Sequence, residues 1–285
     1  MRGLLDQLER DGALERPERL RERVDAVDRL DRLSYYLDES AQAAALRERV
    51  RAIEARLEAA NESLYQDLRE AIGRGDGASR LREWMPGVAQ AADANRGGAE
   101  GEGYDYLDVL LGGVLQLREP DEEPAELAAE LVFYQPTPAR HIFDLIARLD
   151  LSEGDVLLDL GSGLGHVPLL VGACTAARCI GVELEPVYAA SARSAAEALG
   201  LSKVSFVQAD ARVADLSQAT VFYLYTPFTG GVLDQMLTHI RRESEQRILR
   251  VCSLGPCTRV LAEQSWLRAL DTELRGDRVA IFESR

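Results

Sequence analysis

The sequence predicts an α/β protein. A doubly wound, mostly parallel seven-strand sheet ends in an antiparallel C-terminal hairpin, and an all-helical N-terminal region precedes it. Three observations predict this. Residues 1–95 carry helical periodicity and almost no strand signal. From Val156 onward, short apolar runs alternate with helical stretches, the pattern of parallel strands joined by right-handed crossovers. The last two strand-like runs, Leu267 to Leu274 and Arg278 to Glu283, are separated only by Arg275-Gly276-Asp277, the spacing of a hairpin.

In the N-terminal region, Leu20, Val24, Val27, Leu30 and Leu33 recur at three- and four-residue spacing behind Pro17, placed as a first-turn proline. A second pattern, Ala41 to Ile72, carries Leu46, Val50, Ile53 and Leu57 on one face. Such helices bury their stripes against each other, a third element or a second copy of the chain, so a homodimer through them is one expectation. The run from Asn95 to Gly103 reads as a flexible joint, Tyr104 to Leu117 as a short apolar helix, and Pro120 to Pro124 as an acidic turn before another helix. The expected division is a helical domain at 1–95, a linker with connecting helices at 96–130, and the α/β domain at 131–285.

Within the α/β part, strands are expected at Val156–Leu160, Cys179–Glu183, Val204–Gln208, Thr220–Tyr225 and Thr258–Ala262. Helices are expected over Leu164–Ala176, Val187–Leu199 and Gly231–Arg242.

The 285 residues are 46% hydrophobic and 28% charged, a soluble globular profile. No run of eighteen apolar residues is present, and the charged N-terminus lacks the apolar core of a secretory signal, so a membrane span is not expected and a cytoplasmic location is. A net charge of −15 argues against non-specific nucleic-acid binding and weakly favours a basic protein or a cationic small molecule as substrate. Cys174, Cys179, Cys252 and Cys257 form two pairs with four intervening residues, unlike a zinc ribbon, and read as reduced core cysteines; no metal is expected.

The residues that carry chemistry lie at strand ends. Gly161-Ser162-Gly163-Leu164-Gly165 joins an apolar strand to a helix, where glycines allow a tight turn and the helix N-terminus offers free N–H groups. Alone, such a turn indicates only a nucleotide-like ligand. Glu183 ends the second strand, 18 positions after Gly165, where a carboxylate can accept both ribose hydroxyls. Asp210, followed by Ala211, comes after the third strand at the same sheet edge. Asp159, at the end of the first strand, can meet an ammonium group. Each acid alone is more often a solvated loop residue; three at successive strand ends form a constellation.

The order Asp159-x-Gly161-x-Gly163-x-Gly165, then Gly181-Val182-Glu183, then Gln208-Ala209-Asp210, resembles the first three motifs of class I, seven-strand, Rossmann-like methyltransferases dependent on S-adenosyl-L-methionine (SAM). The terminal hairpin is similar too, and the resemblance covers about Tyr134 to Arg285. It implies that Asp159, Gly161, Ser162, Gly163 and Gly165 hold the methionine end of SAM, Glu183 the ribose, and Asp210 with Ala211 the adenine. The last glycine falls one residue earlier than in NAD enzymes, so the turn favours SAM. Tyr134-Gln135-Pro136-Thr137-Pro138, with the glycine turn and His166, resembles the non-SET lysine methyltransferases and their prokaryotic relatives. That likeness implies that Tyr134 and Thr137 lie against the cofactor. The other reading is that Thr137 and Pro138 set a helix N-terminus.

The fourth strand leads into Tyr225-Thr226-Pro227-Phe228, where amino-methylating enzymes of this class often carry Asn-Pro-Pro-Tyr. Tyr225 and Phe228 are therefore candidates for the wall of a substrate channel, with packing roles equally open. Thr226 replaces the amide and leaves the acceptor undecided between a protein and a small molecule. An apolar channel lowers a lysine's pKa, so no dedicated base is required and His141, His166 and His239 are not assigned one. The leading expectation is methyl transfer to an amine. Alternatives are a small-molecule acceptor with the N-terminal helices as lid or dimer contact, a non-catalytic module and, more distantly, an NAD enzyme.

Overall fold

The computed structural model describes residues 2–35, 41–84, 104–117 and 134–285. The expected joint at Asn95–Gly103, and the acidic turn with its following helix, lie outside the described residues.

The described part of the N-terminal segment is made of helices: α1 (Arg2–Arg10), two 3-10 turns at Gly12–Glu15 and Pro17–Arg19, α2 (Leu20–Tyr35), α3 (Ala41–Gly73) and α4 (Gly77–Arg82). Leu5, Leu8, Leu14, Ala26, Leu30, Val50, Ile53 and Leu57 form one apolar core between α1, α2 and the first half of α3. At 33 residues, α3 is about 50 Å long. Its second half leaves that core: Leu64, Tyr65, Leu68 and Ile72 instead join the core beneath the sheet, together with α5 (Tyr106–Leu115). The stripe of α2 also contains a surprise. Arg23 is fully buried, one turn from Leu20, because its guanidinium donates to Leu14 O at 2.8 Å, Arg16 O at 2.5 Å and Asn61 Oδ1 at 2.6 Å.

The sheet has seven strands in the order β3-β2-β1-β4-β5-β7-β6. These are β1 (Val156–Leu160), β2 (Arg178–Glu183), β3 (Val204–Gln208), β4 (Val221–Tyr225), β5 (Arg250–Leu254), β6 (Leu267–Ala269) and β7 (Ala280–Ser284). The first five are parallel, and β7 pairs antiparallel with both β5 and β6. Helices α6 (Ala139–Leu149), α7 (His166–Cys174) and α8 (Pro186–Ala198) cover one face; α9 (Gly230–Ser244) and α10 (Cys257–Ala262) cover the other. Strand alternation divides the side chains: Leu157 and Tyr223 face α6 and α7, while Leu158, Leu160, Phe222 and Leu224 face α9 and α10. Among the described residues, no helix is long and apolar enough to cross a membrane.

Two expectations are corrected. The expected strand at Thr258–Ala262 is helix α10, and the fifth strand lies earlier, at Arg250–Leu254. A short apolar run does not distinguish the two, and Arg250 and Ser253 obscure the true strand. Gly255, at φ +85°, ends β5, after which Cys257, Thr258 and Leu261 share a buried helical face. The hairpin is also shorter in its strands than expected, because pairing stops at Leu270, whose N–H reaches Ile281 O at 2.9 Å. Asp271 then caps the Ile281 N–H at 2.9 Å and pairs with Arg148, so residues 271–279 leave the ladder as a loop.

Candidate active site

Asp159 occupies an unusual rung. Its parallel-strand neighbours are Gly181 and Tyr223, and the rung continues to Phe206 on one side and Cys252 on the other. All these side chains except the acid are apolar or aromatic, and all face the core toward α6 and α7. Asp159 is 4% exposed, and burial, followed by the nearby Glu183, pushes the pKa of its carboxyl well above the usual carboxylate range. No hydrogen bond to it is present among the described residues. A buried acid left so is costly unless a ligand meets it.

The glycine turn passes directly over this rung. Gly161 and Ser162 both donate their N–H to Val182 O, at 2.9 and 3.0 Å, folding the turn back onto β2. Gly163 lies at φ +52°, and a Cβ there would fall 2.2 Å from the Tyr134 ring. Gly161 meets Pro227 in the same way, at 2.4 Å, so the turn touches the segments expected for cofactor and acceptor alike. Glu183, 8% exposed, accepts Gly163 N–H at 2.7 Å on one oxygen and Glu185 N–H at 2.8 Å on the other. Each oxygen retains a lone pair. Burial raises its pKa against the effect of the backbone N–H groups of Glu185, Gly163 and Leu184. Ser162 Oγ is buried and has no hydrogen-bond partner among the described residues.

The leading segment lies against this turn. Tyr134 pairs its hydroxyl with His166 Nδ1 at 3.2 Å and sets its ring 5.0 Å from Tyr188, at the start of α8. Burial lowers the pKa of His166 to about 4, which makes it a neutral imidazole at neutral pH. Thr137 does not cap α6. Its hydroxyl lies 3.2 Å from that of Tyr223, and the first amide of α6, Ala139 N–H, goes instead to Asp108 Oδ1 at 2.7 Å. The helix-cap reading of Thr137 is thus corrected: the residue faces the Asp159 rung.

Asp210 stands at the end of β3, partly exposed. It accepts Arg212 N–H at 2.9 Å and forms a bidentate pair with the Arg212 guanidinium, which holds its pKa below the usual carboxylate range. Ala211 begins the 3-10 turn that follows. Leu184, 43% exposed beside Glu183, and Val213, 80% exposed beyond Ala211, are apolar groups at this strand edge that the sequence reading did not single out.

The turn after β4 is strained. Thr226 has φ +37°, and its buried hydroxyl donates to Leu254 O at 3.0 Å while accepting Cys257 N–H at 3.2 Å. Tyr225 is half-buried on the α6 side of the sheet, whereas Phe228 is buried in the core on the α9 side. The two aromatic candidates therefore lie on different faces. His141 and His239 do not join the turn; burial lowers His141 to about 4. The four cysteines are all free and buried, and the described residues contain no cluster suited to a metal ion.

The structure thus converges a partnerless acid, an orphaned serine hydroxyl, a half-used glutamate and an aromatic segment on one glycine turn. This donor set fits a ligand with an ammonium group, vicinal hydroxyls and a flat base, which is the chemistry of SAM. Sheet order, terminal antiparallel strand and site together define a class I SAM-dependent methyltransferase. Residues 132–207 match the family model described as histone methylation protein DOT1. No match is found among curated proteins. Among solved structures, the chain is similar to an RNA methyltransferase from Salinibacter ruber in complex with S-adenosyl-L-homocysteine, at 28% identity over 53% of this chain and 92% of that one, TM-score 0.42. It is also similar to a precorrin-6y C5,15-methyltransferase from Geobacter metallireducens, at 17% identity over 56% and 92%, TM-score 0.40. A third is a tRNA (uracil-54, C5)-methyltransferase from Pyrococcus abyssi, at 18% identity over 53% and 39%, TM-score 0.39.

Proposed function

We propose that this enzyme transfers a methyl group to an amine nitrogen, and that the acceptor is a lysine of a basic protein. The observation that carries the acceptor class is the match of residues 132–207 to a histone-methylation family, a span that contains Tyr134, Thr137, the glycine turn and Glu183. The net charge of −15 supports a basic partner, since opposite charge steers encounter.

Bound SAM supplies an electrophilic methyl group. The chain's own residues bind, orient and exclude water. Asp159 would hold the ammonium of the methionine end, with Ser162 Oγ beside it. Glu183 would accept the ribose hydroxyls on the lone pairs that Gly163 and Glu185 leave unused. Asp210, kept ionised by Arg212, would accept from the exocyclic amine of adenine, with Leu184 and Val213 as apolar surroundings. Tyr134 and Thr137 would close over the cofactor from the leading segment.

On the acceptor side, Thr226 spends its hydroxyl on Leu254 and Cys257, so it holds the turn's shape instead of offering a side-chain amide as Asn would. An alkyl amine needs no such amide; it needs an apolar approach that favours the neutral form, which Tyr225 would provide. Alignment and water exclusion then supply most of the rate.

Incubation with methyl-labelled SAM, a histone mixture and a panel of small amines tests this reading. Label recovered as methyl-lysine after acid hydrolysis is the expected result. Label on small amines alone, with none in protein, would overturn the acceptor assignment.

A further inference from the structure

The Tyr134–Thr137 segment is held from outside the α/β sheet. Helix α5 and the residues just ahead of it supply one attachment each. Asp108 accepts Asp105 N–H at 2.6 Å on one oxygen, closing a capping box, and Ala139 N–H at 2.7 Å on the other. Helix α6 has no side-chain cap of its own, so this carboxylate from another helix serves as its cap. Tyr104, just ahead of the box, donates its hydroxyl to Pro136 O at 2.5 Å.

Helix α5 is in turn fixed to the N-terminal helices. Arg69 of α3 donates to Gly113 O at 2.7 Å. Gly113 packs so tightly that a Cβ would lie 2.2 Å from the Tyr65 ring. Leu107, Leu110, Leu111 and Val114 share a core with Leu64 and Leu68 of α3 and Ile142 of α6. Load from α3 therefore reaches Pro136 and Ala139 through α5.

We infer that Asp108, assisted by Tyr104, is a positioning residue for cofactor binding: it sets the Tyr134–Thr137 segment at its working distance from the glycine turn, and through it the N-terminal helices act on the site. The inference rests on the reading above that Tyr134 and Thr137 contact SAM. Geometry supports the assignment at both ends, since the segment's own bonds run to His166 at the turn and to Tyr223 beside Asp159.

The test is calorimetric titration of the full chain with S-adenosylhomocysteine, read beside the melting temperature of the ligand-free protein. Asp108→Asn keeps the size but presents one acceptor and one donor where two N–H groups arrive. It is expected to weaken Kd about tenfold, the scale of one charge-assisted hydrogen bond, and Tyr104→Phe about threefold. Leu237→Ala, in α9 on the opposite face of the sheet, should lower the melting temperature and leave Kd unchanged. A lower melting temperature with unaltered Kd in Asp108→Asn would mean a structural role only and would overturn the inference. If that variant does not fold, Tyr104→Phe decides: a weakened Kd supports positioning, and a wild-type Kd overturns it. Tyr134→Ala and Thr137→Val test the underlying reading separately. Wild-type Kd in both sinks that reading, whereas weakened Kd in them with wild-type Kd in Asp108→Asn sinks only the role of Asp108.

Discussion

Glu183 accepts the backbone N–H of Gly163 at 2.7 Å, so one carboxylate at the end of β2 holds the middle of the glycine turn in place. Its second oxygen holds Glu185, and both keep capacity for a ligand. Glu183→Ala should lose SAM affinity by roughly thirtyfold, equivalent to about 2 kcal/mol for charge-assisted hydrogen bonds. Titration calorimetry measures it. An affinity equal to wild type would remove Glu183 from the site.

The turn should tolerate no side chain at its centre. Gly163 sits at φ +52° with the Tyr134 ring in the way of any Cβ. Gly163→Ala is expected to lose roughly 1–2 kcal/mol from the left-handed backbone alone and to displace Tyr134. Cofactor binding should fall more than thermal stability does. Combining it with Tyr134→Ala removes the clash but not the backbone strain, so stability should recover only in part.

Cofactor affinity should rise with pH. Burial raises the pKa of both Asp159 and Glu183, and their proximity raises Asp159 further. An ammonium-bearing ligand with hydroxyl donors prefers both ionised, so binding expels protons and weakens as pH falls through the raised range. The ligand-free fold behaves oppositely at Asp159. Its folded pKa lies above the unfolded value, so the folded state holds more protons between the two, and acidification through that window stabilises it. Asp210, lowered by Arg212, loses stability on acidification instead. Binding heats in buffers of different ionisation enthalpy count the protons released. Asp159→Asn should flatten the dependence; an unchanged slope would contradict the assignment.

The cysteines should resist chemistry in the native protein. All four are buried; burial pushes Cys174, Cys179 and Cys252 up to about 12, and raises Cys257. Thiolate is the reactive form. A thiol reagent at neutral pH should label none until denaturant is added, and rapid labelling of any would argue against this core.

Arg23 should matter for stability and not for the cofactor. Its guanidinium satisfies two carbonyls and Asn61 in a fully buried position. Arg23→Met is expected to cost roughly 2–4 kcal/mol by orphaning those groups. The melting temperature should fall while the Kd for SAM, measured where the variant is folded, stays unchanged.

How much of this was legible beforehand differs by element. β1 and β3 match their expected bounds to the residue, because Val156–Leu160 is a short, mostly apolar run and Val204–Gln208 is a β-branched and aromatic stretch, each bounded by turn residues. A strand at Thr258–Ala262 is expected and a helix found because the apolar stretch Val260-Leu261-Ala262 is too short to carry a period that distinguishes the two. Asp159, the three glycines, Glu183 and Asp210 could be listed together because each stands at a fixed offset from a strand end. Asp108 and Tyr188 could not be assigned to the same site, since nothing local relates residues tens of positions apart, whereas His166 adjoins Gly165.

The sequence by itself determined the class of fold, which follows from alternating strands and helices, and the kind of cofactor, through the family resemblance that the glycine turn and the acids at strand ends carry. Only the tertiary structure decided that Asp159 is walled in by Gly181 and Tyr223, that Thr137 turns toward that rung, that Phe228 and Tyr225 part to opposite faces, and that α5 holds the leading segment. Strand register and helix packing set those relations, and both are settled by burial across the whole chain, which no short stretch of sequence contains.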